Sequence, residues 1–203
     1  MTPVFFLPGA GGSPEFWKPV ADRLPAGWSK RLFGWPGLGR QAHDPSIRSL
    51  DDLVTLVRAE IKEPVDLVAQ SMGGWIAARL AIENPELVRR LVLTVTSAGV
   101  DMGALGASDW RDDYRRNFPD AAPWITDLRA SVDLPVDRIV APTLLIWGDV
   151  DPISPVAVGQ HLAKRIASSR LEVIAGGDHD LTNVRADEVA PLIARHLGTR
   201  GAG

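Results

Sequence analysis

The chain has 203 residues, of which 45% are apolar and 23% charged, the balance of an ordinary globular domain with one sizeable core. Its 22 Lys and Arg against 25 Asp and Glu give a formal net charge of -3, so electrostatics gives no reason to expect binding to nucleic acid or to an anionic membrane. There is no cysteine, which excludes disulfides, thiolate metal sites and a cysteine nucleophile. The N-terminal apolar run is too short to span a membrane and lacks the basic flank of a secretory signal, so we expect a cytoplasmic protein.

Short apolar runs alternate with stretches of helical periodicity along the chain. The predicted strands are Val4–Leu7, Lys30–Phe33, Val65–Ala69, Leu91–Val95, Thr143–Trp147 and Leu171–Ile174. The predicted helices are Glu15–Leu24, one that begins at Ser49, Gly73–Glu83, Pro155–Ile166 and Asp187–Leu197. Most of the strands are continuous in apolar residues, which is typical of strands buried on both faces of a parallel sheet. We therefore predict an α/β fold: one domain over residues 1–203, with a doubly wound, mostly parallel sheet of about six strands and helices on both faces.

The segment of about residues 99–135 interrupts this alternation. It contains no good strand, but it carries four aromatic residues among many charges: Trp110, Tyr114, Phe118 and Trp124. We interpret it as a short helical insertion. Because open α/β sheets bind ligands beyond the carboxyl ends of their strands, the insertion could form a lid whose aromatic residues line a substrate pocket. The alternative is that these side chains only anchor the insertion on the sheet, and both interpretations can hold together.

The loop after the first predicted strand, Leu7-Pro-Gly-Ala-Gly-Gly, is rich in glycine. Such a loop lets backbone N–H groups approach a ligand closely, as an oxyanion formed in acyl transfer requires. It lacks the Gly-Lys-Ser/Thr of a phosphate-binding loop, and Pro14 stands where a dinucleotide fingerprint needs its third small residue. We expect the N–H of Ala10 to be one oxyanion donor.

Ser71 follows directly on the third predicted strand and opens a helix, in the run Gln70-Ser-Met-Gly-Gly. A serine on such a tight turn is held above the edge of the sheet, where a base from another loop can reach it. Small residues suit this turn because strand and helix approach closely there. The alternative role is a helix cap. As a nucleophile, Ser71 would be paired with the N–H of Met72 as the second oxyanion donor.

Two carboxylates, Asp149 and Asp151, follow the fifth predicted strand. An acid at this position can hold an imidazole in the tautomer that accepts a proton from a serine. The spacing also fits a turn or a helix cap, whereas the rest of a calcium-binding loop is absent. We favour Asp151 over Asp149 as the acid.

His179 follows the last predicted strand after two glycines. A loop at this position can bring an imidazole to the serine as a general base. The other three histidines, His43, His161 and His196, lie in less suitable stretches, and no pair of histidines has metal-ligand spacing. The chain order of serine, acid and histidine, each just after a strand, is the order typical of one hydrolase fold.

These motifs, together with Trp35-Pro-Gly-Leu-Gly and Trp147-Gly-Asp-Val-Asp-Pro, make the chain resemble the α/β-hydrolase superfamily, and its small serine esterases in particular. The resemblance implies a serine nucleophile, a covalent acyl-enzyme, Asp151 as the acid, and no cofactor or metal. It departs from the common pattern at Pro8, where many relatives have histidine, and in the short insertion.

From these features we expect a serine hydrolase that cleaves a carboxylic ester or a related acyl bond. The expected partner is a small-molecule ester, free or linked to a carrier, rather than nucleic acid or a membrane. Thioesterases, cofactor-free perhydrolases and C–C bond hydrolases share the same triad and are the alternatives. A small-molecule-binding protein that kept the fold without turnover is the non-enzymatic one.

Overall fold

The computed structural model describes residues 2–128 and 134–198. Six parallel strands form one sheet in the order β2-β1-β3-β4-β5-β6. The strands are β1 (Val4–Leu7), β2 (Lys30–Leu32), β3 (Val65–Gln70), β4 (Val88–Thr94), β5 (Thr143–Gly148) and β6 (Ser169–Ile174). Each predicted strand is present, and the predicted doubly wound α/β fold is confirmed.

Eight α-helices pack around this sheet in the described residues. They are α1 (Lys18–Arg23), α2 (Leu50–Glu60), α3 (Met72–Glu83), α4 (Arg111–Asn117), α5 (Trp124–Asp127), α6 (Val156–Arg165), α7 (Leu181–Val184) and α8 (Ala186–Gly198). The helices α1 and α8 contact each other on one face of the sheet, and α2 and α3 contact each other on the other. In the described part of the chain no helix combines the length and apolar character needed to cross a membrane.

The first predicted helix, Glu15–Leu24, is divided in two. A 3-10 turn over Pro14–Trp17 precedes α1, and Pro19 lies in the first turn of that helix. Proline has no N–H, so it fits the first turn of a helix but not its interior. The α-helix therefore begins at Lys18, about one turn later than predicted.

The order of the strands reverses between β1 and β3. After β1 the chain forms β2 on one side, then returns to place β3 on the other side, with Leu7 beside Ala69 at the carboxyl ends of the two strands. Open α/β sheets bind their ligands at such a reversal. The glycine-rich loop and Ser71, which leave β1 and β3, meet at this point.

The segment between β4 and β5 is helical, as predicted. Its described part contains a 3-10 turn at Gly103–Leu105, then α4 and α5; residues 129–133 of the predicted insertion lie outside the described residues. Backbone hydrogen bonds fix it to the loop after β2, with the N–H of Ala122 donating to the carbonyl of Gly37 at 2.7 Å. The insertion thus lies across the carboxyl edge of the sheet.

Candidate active site

Ser71 occupies the single residue between β3 and α3, with φ 52° and ψ -122°. A positive φ at a non-glycine residue costs about 1–3 kcal/mol and persists only where the surroundings enforce it. The surroundings here are hydrogen bonds on both sides of the residue: its N–H donates to the carbonyl of Thr94 at 3.0 Å, and its carbonyl accepts from the hydroxyl of Thr96 at 2.6 Å. The strained turn exposes the serine hydroxyl above the sheet, as the sequence motif predicts.

Gly73 allows the two key loops to come together. A Cβ atom at this position would lie 2.5 Å from the carbonyl oxygens of both Leu7 and Pro8. Any larger residue would force the first turn of α3 away from the glycine-rich loop. The motif requires glycine at position 73 because α3 packs closely on the end of β1.

A continuous hydrogen-bonded chain joins the three residues expected to form a triad. Nε2 of His179 lies 3.0 Å from Oγ of Ser71, and Nδ1 lies 2.7 Å from Oδ2 of Asp151. The second carboxylate oxygen of Asp151 accepts from the N–H groups of Ile153 at 2.8 Å and Ser154 at 3.1 Å. The Asp151 side chain is fully buried, whereas that of His179 keeps 19% of its surface exposed. Burial with three hydrogen bonds fixes the carboxylate, and the imidazole remains open to the cavity.

Asp149 has a different position from Asp151, although the two are only two residues apart. Its exposed carboxylate accepts from the N–H of Gly176 at 2.5 Å and so joins the loop after β5 to the loop after β6. The two loops also touch at Gly148, where a Cβ atom would lie 2.0 Å from the carbonyl oxygen of Gly177. The contact to His179 is made by Asp151, and Asp149 fastens the loop that carries the histidine.

Gln70, the last residue of β3, was not identified as a site residue from the sequence. Its buried side chain donates from Nε2 to the carbonyl of His179 at 3.1 Å. It therefore fixes the histidine loop to the strand that carries the serine. The available signal was a polar residue at the end of an otherwise nearly apolar strand.

Two indole groups hold the start of the glycine-rich loop. Nε1 of Trp17 donates to the carbonyl of Leu7 at 3.0 Å, and Nε1 of Trp35 donates to the carbonyl of Pro8 at 2.8 Å. Both tryptophan residues are fully buried. The sequence does not reveal these roles, because nothing local predicts which distant carbonyl an indole will reach.

The next two carbonyls of the loop also accept hydrogen bonds. The carbonyl of Gly9 accepts from the N–H of Gly12 at 3.1 Å, and that of Ala10 accepts from the hydroxyl of Tyr114 at 2.9 Å. Four consecutive carbonyls, from Leu7 to Ala10, are thus held in place. In contrast, the N–H groups of Ala10 and Met72 have no protein acceptor within residues 2–128 and 134–198.

A cavity of about 1240 Å³ opens beside Ser71 and His179. Large apolar side chains form much of its wall; they include Phe16, Trp75, Val100, Met102, Trp110 and Phe118. Of the four insertion aromatics expected here, Trp110, Tyr114 and Phe118 line the cavity. Trp124 instead packs partly buried against the core and lies outside the lining formed by the described residues. The aromatic residues therefore fulfil both roles considered for them: all four pack on the core, and three of them also line the cavity.

Two ionisable groups in the cavity wall have altered acidity. Asp180 follows the histidine and is accessible from the cavity, yet burial of its carboxyl by the surrounding protein raises its pKa. Burial likewise raises the pKa of the Tyr114 phenol, although the hydrogen bond from Gly39 opposes this effect. Both shifts favour neutral groups near the serine.

Comparison with known proteins places this geometry in a family. The sequence profile of the alpha/beta hydrolase family matches residues 4–130. A pimeloyl-[acyl-carrier protein] methyl ester esterase of Neisseria meningitidis serogroup B / serotype 15 (strain H44/76) is 28% identical in an alignment 222 positions long. The alignment covers 87% of this chain and 85% of that protein. A poly(3-hydroxyalkanoate) depolymerase of Ectopseudomonas oleovorans is 23% identical and covers 97% of this chain and 84% of that protein.

The solved structures agree in fold. A thermophilic esterase from Thermogutta terrifontis, with malate bound, superposes with a TM-score of 0.77 at 20% identity, over 98% of this chain and 90% of that one. The resemblance noted in the sequence is confirmed, as is the expectation of a hydrolase. The chain belongs to the alpha/beta hydrolase family.

Proposed function

We propose that the protein is a serine hydrolase that cleaves a carboxylic ester through a covalent acyl-enzyme on Ser71. The observation that carries this proposal is the hydrogen-bonded chain from Asp151 through His179 to Ser71 Oγ, with its serine end open to a cavity. Nucleophile, base and orienting acid within hydrogen-bond distance are the arrangement that activates a serine for acyl transfer.

In the acylation step, His179 Nε2 takes the proton of Ser71 Oγ while Oγ forms a bond to the carbonyl carbon of the ester. The N–H groups of Ala10 and Met72 donate to the oxygen that becomes negatively charged. The tetrahedral adduct then collapses, the bond from carbon to the alcohol oxygen breaks, and the imidazolium gives its proton to the departing alcohol. Asp151 remains ionised and stabilises the charged ring.

In the deacylation step, His179 removes a proton from a water molecule, and the resulting hydroxide attacks the acyl carbon. The new tetrahedral adduct uses the same two N–H donors. Its collapse releases the carboxylic acid and returns the proton from the imidazolium to Ser71 Oγ. Amide donors that are fixed before the reaction stabilise the oxyanion most, because no reorganisation is needed as charge develops.

The side chains that line the cavity favour a substrate with a moderately apolar acyl group. The wall on the side of the insertion includes the large apolar side chains of Trp110, Phe118 and Met102, beside polar residues such as Asp109 and Arg111. Thioesters, peracids and activated C–C bonds would use the same triad, so the bond that is cleaved depends on what fits the cavity. A protein that only binds a small molecule is disfavoured by a complete triad at hydrogen-bonding distances.

A carrier-linked ester is the second candidate, because the Neisseria relative is named for a substrate of that kind. The charge of the insertion argues for a free ester instead. Residues 99–128 hold six aspartates and three arginines, and each arginine is paired with a neighbouring aspartate. A carrier with an acidic surface would be repelled by this net negative charge.

The proposal is tested with p-nitrophenyl esters from acetate to decanoate. Wild type is expected to hydrolyse them with an optimum at intermediate chain length, and Ser71→Ala is expected to lose at least about 10³-fold in kcat. Ser169→Ala, on the edge strand β6, is the matched control and should keep wild-type activity. Equal activity of Ser71→Ala and wild type would refute the proposal. A methyl ester presented free and on a carrier protein then distinguishes the two substrate classes by kcat/KM.

A further inference from the structure

Tyr114 is the only tyrosine of the chain, and its hydroxyl joins three segments that are distant in sequence. The residue lies in helix α4 of the insertion. Its Oη accepts from the N–H of Gly39, in the loop after β2, at 2.9 Å, and donates to the carbonyl of Ala10, in the glycine-rich loop, at 2.9 Å. Both bonds are well within hydrogen-bonding range. A single hydroxyl therefore connects the insertion to the loop that provides an oxyanion donor.

The hydroxyl of Tyr114, which donates to the Ala10 carbonyl, comes from a different part of the protein than the groups that donate to the other carbonyls of the glycine-rich loop. The carbonyls of Leu7 and Pro8 accept from two tryptophans that are buried in the core, and the carbonyl of Gly9 accepts from within the loop itself. Only the carbonyl of Ala10, among these four, is held by a side chain of the insertion. The position of the Ala10 carbonyl, the last of the four, therefore depends on the position of the insertion.

The ring of Tyr114 is held tightly enough to transmit this dependence. It is 7% exposed and packs edge-on against Trp110, with centroids 5.5 Å apart, and at a tilt against Phe118, with centroids 5.0 Å apart. Trp110 and Phe118 both line the cavity beside the serine. A substrate that packs against these two rings therefore presses on the residue that fixes the Ala10 carbonyl.

We infer that Tyr114 is a positioning residue: through its hydroxyl it fixes the orientation of the Ala10 peptide groups, and so couples occupation of the cavity to the readiness of the oxyanion donors. This inference rests on the proposed serine hydrolase function. Without the hydroxyl, the carbonyl of Ala10 has lost its donor, and the Ala10–Gly11 peptide can rotate beside the flexible Gly11. The N–H of Ala10 belongs to the preceding peptide, which shares the Ala10 Cα and whose carbonyl is held by Gly12 within the same loop, so movement of the one peptide is passed to the other. The N–H of Ala10 then spends less time aimed at the oxyanion, which weakens binding of the transition state more than binding of the ester.

The test compares Tyr114→Phe with Thr126→Val. Both substitutions delete one hydroxyl from the insertion, but within the described residues the hydroxyl of Thr126 donates to the nearby carbonyl of Pro123 alone, at 3.2 Å. Tyr114→Phe is expected to lower kcat about tenfold and to leave KM within about twofold. A boronic acid that forms a tetrahedral adduct with the nucleophile should lose affinity by the same factor as kcat/KM. Thr126→Val is expected to change neither quantity by more than about twofold.

Wild-type kcat and boronate affinity in Tyr114→Phe would overturn the inference, as would equal losses in both variants. Failure of the proposed function is seen separately, because it would leave Ser71→Ala active.

A second measurement does not depend on the folding of a variant. Since the chain has one tyrosine, protein grown on fluorotyrosine carries a single fluorine label at position 114. Its resonance is expected to shift when the boronate binds, and to shift less with the corresponding alcohol; an unchanged resonance at saturation would contradict the coupling.

Discussion

The two ends of the sheet each hold an aspartate and a histidine. Their surroundings distinguish the candidate active site at one end from a cluster that holds a helix on the sheet at the other. At the carboxyl end, the carboxylate of Asp151 binds His179, which faces a serine and an open cavity. At the amino end, buried Asp66 pairs with Arg89, and His196 lies against the carbonyls of Leu91 in β4 and Pro142 just before β5. Both ends bury polar groups, but only the first exposes a nucleophile.

The amino-end cluster fastens helix α8 to the sheet. Arg89 and Arg90 donate to the carbonyls of Leu197 and His196 at the end of the helix, each at 3.1 Å. Burial raises the pKa of Asp66 and lowers that of His196, so both groups are shifted toward their neutral forms. Burial is the largest cause of both shifts, so altered pKa values alone do not identify a reactive site.

Replacement of the two histidines should separate the two ends most strongly. His179→Ala removes the general base, and we expect kcat/KM to fall by about 10⁴–10⁶-fold with little change in Tm. His196→Asn should lower Tm while the folded enzyme keeps its kcat. Ester hydrolysis normalised to folded protein measures both effects. Comparable loss of activity in the two variants would remove the distinction.

The two aspartates after β5 provide the next contrast. Asp151→Asn keeps the shape of the side chain but can no longer stabilise a charged imidazole, so we expect kcat to fall by about 10³–10⁴-fold. Asp149→Asn weakens only the hydrogen bond to Gly176, and a loss below about tenfold is expected, with a decrease in stability of about 1 kcal/mol. Steady-state kinetics of both variants checks this order, and the reverse order would make Asp149 the acid.

At the amino end, the expected effect is on stability. Arg89→Met removes the cation that is hydrogen-bonded to the buried carboxylate of Asp66, and the free energy of unfolding should fall by about 2–4 kcal/mol. Arg23→Met is the control, because its pair with Asp187 is largely exposed and should contribute less than about 1 kcal/mol. Urea unfolding of both variants measures the difference. An equal change in the two would mean that the buried pair does not hold the helix.

The smallest expected effect is a pH dependence of stability at the same end. Burial lowers the pKa of His196 from its ordinary value of 6.5, so below that pH the unfolded chain binds more protons than the folded protein. Stability from this group is therefore complete above pH 6.5 and is lost as the pH falls through the lower, folded-state pKa. His196→Asn should have a flatter stability profile than wild type between pH 7 and pH 5. Parallel profiles for both proteins would contradict the assignment.

The sequence located most of the strands because they contain apolar runs, and polar residues account for the largest error in a strand boundary. Strand β4 begins three residues before the predicted start at Leu91, since Arg89 and Arg90 interrupt the run. Those arginines serve the tertiary contact to α8, which no local pattern reveals.

The expected triad residues were identifiable because each follows a strand in a turn rich in small residues. The residues that hold them were not. Gln70, Thr96 and the indole of Trp17 act through backbone groups far away in the chain, and only the folded arrangement brings them together. Composition alone also could not show that Trp124, unlike the other three aromatic residues of the insertion, lies outside the cavity lining formed by the described residues.

The central claim is that Ser71 becomes acylated, and a mass measurement on the intact enzyme tests it most directly. Wild type is mixed with a p-nitrophenyl ester, quenched in acid within the first turnovers and digested for peptide mapping. We predict an added mass equal to one acyl group on the peptide that contains Ser71, absent in Ser71→Ala and, because His179 is also the base for acylation, absent in His179→Ala on the same timescale. Rapid turnover with no adduct, or an adduct on another residue, would contradict the account.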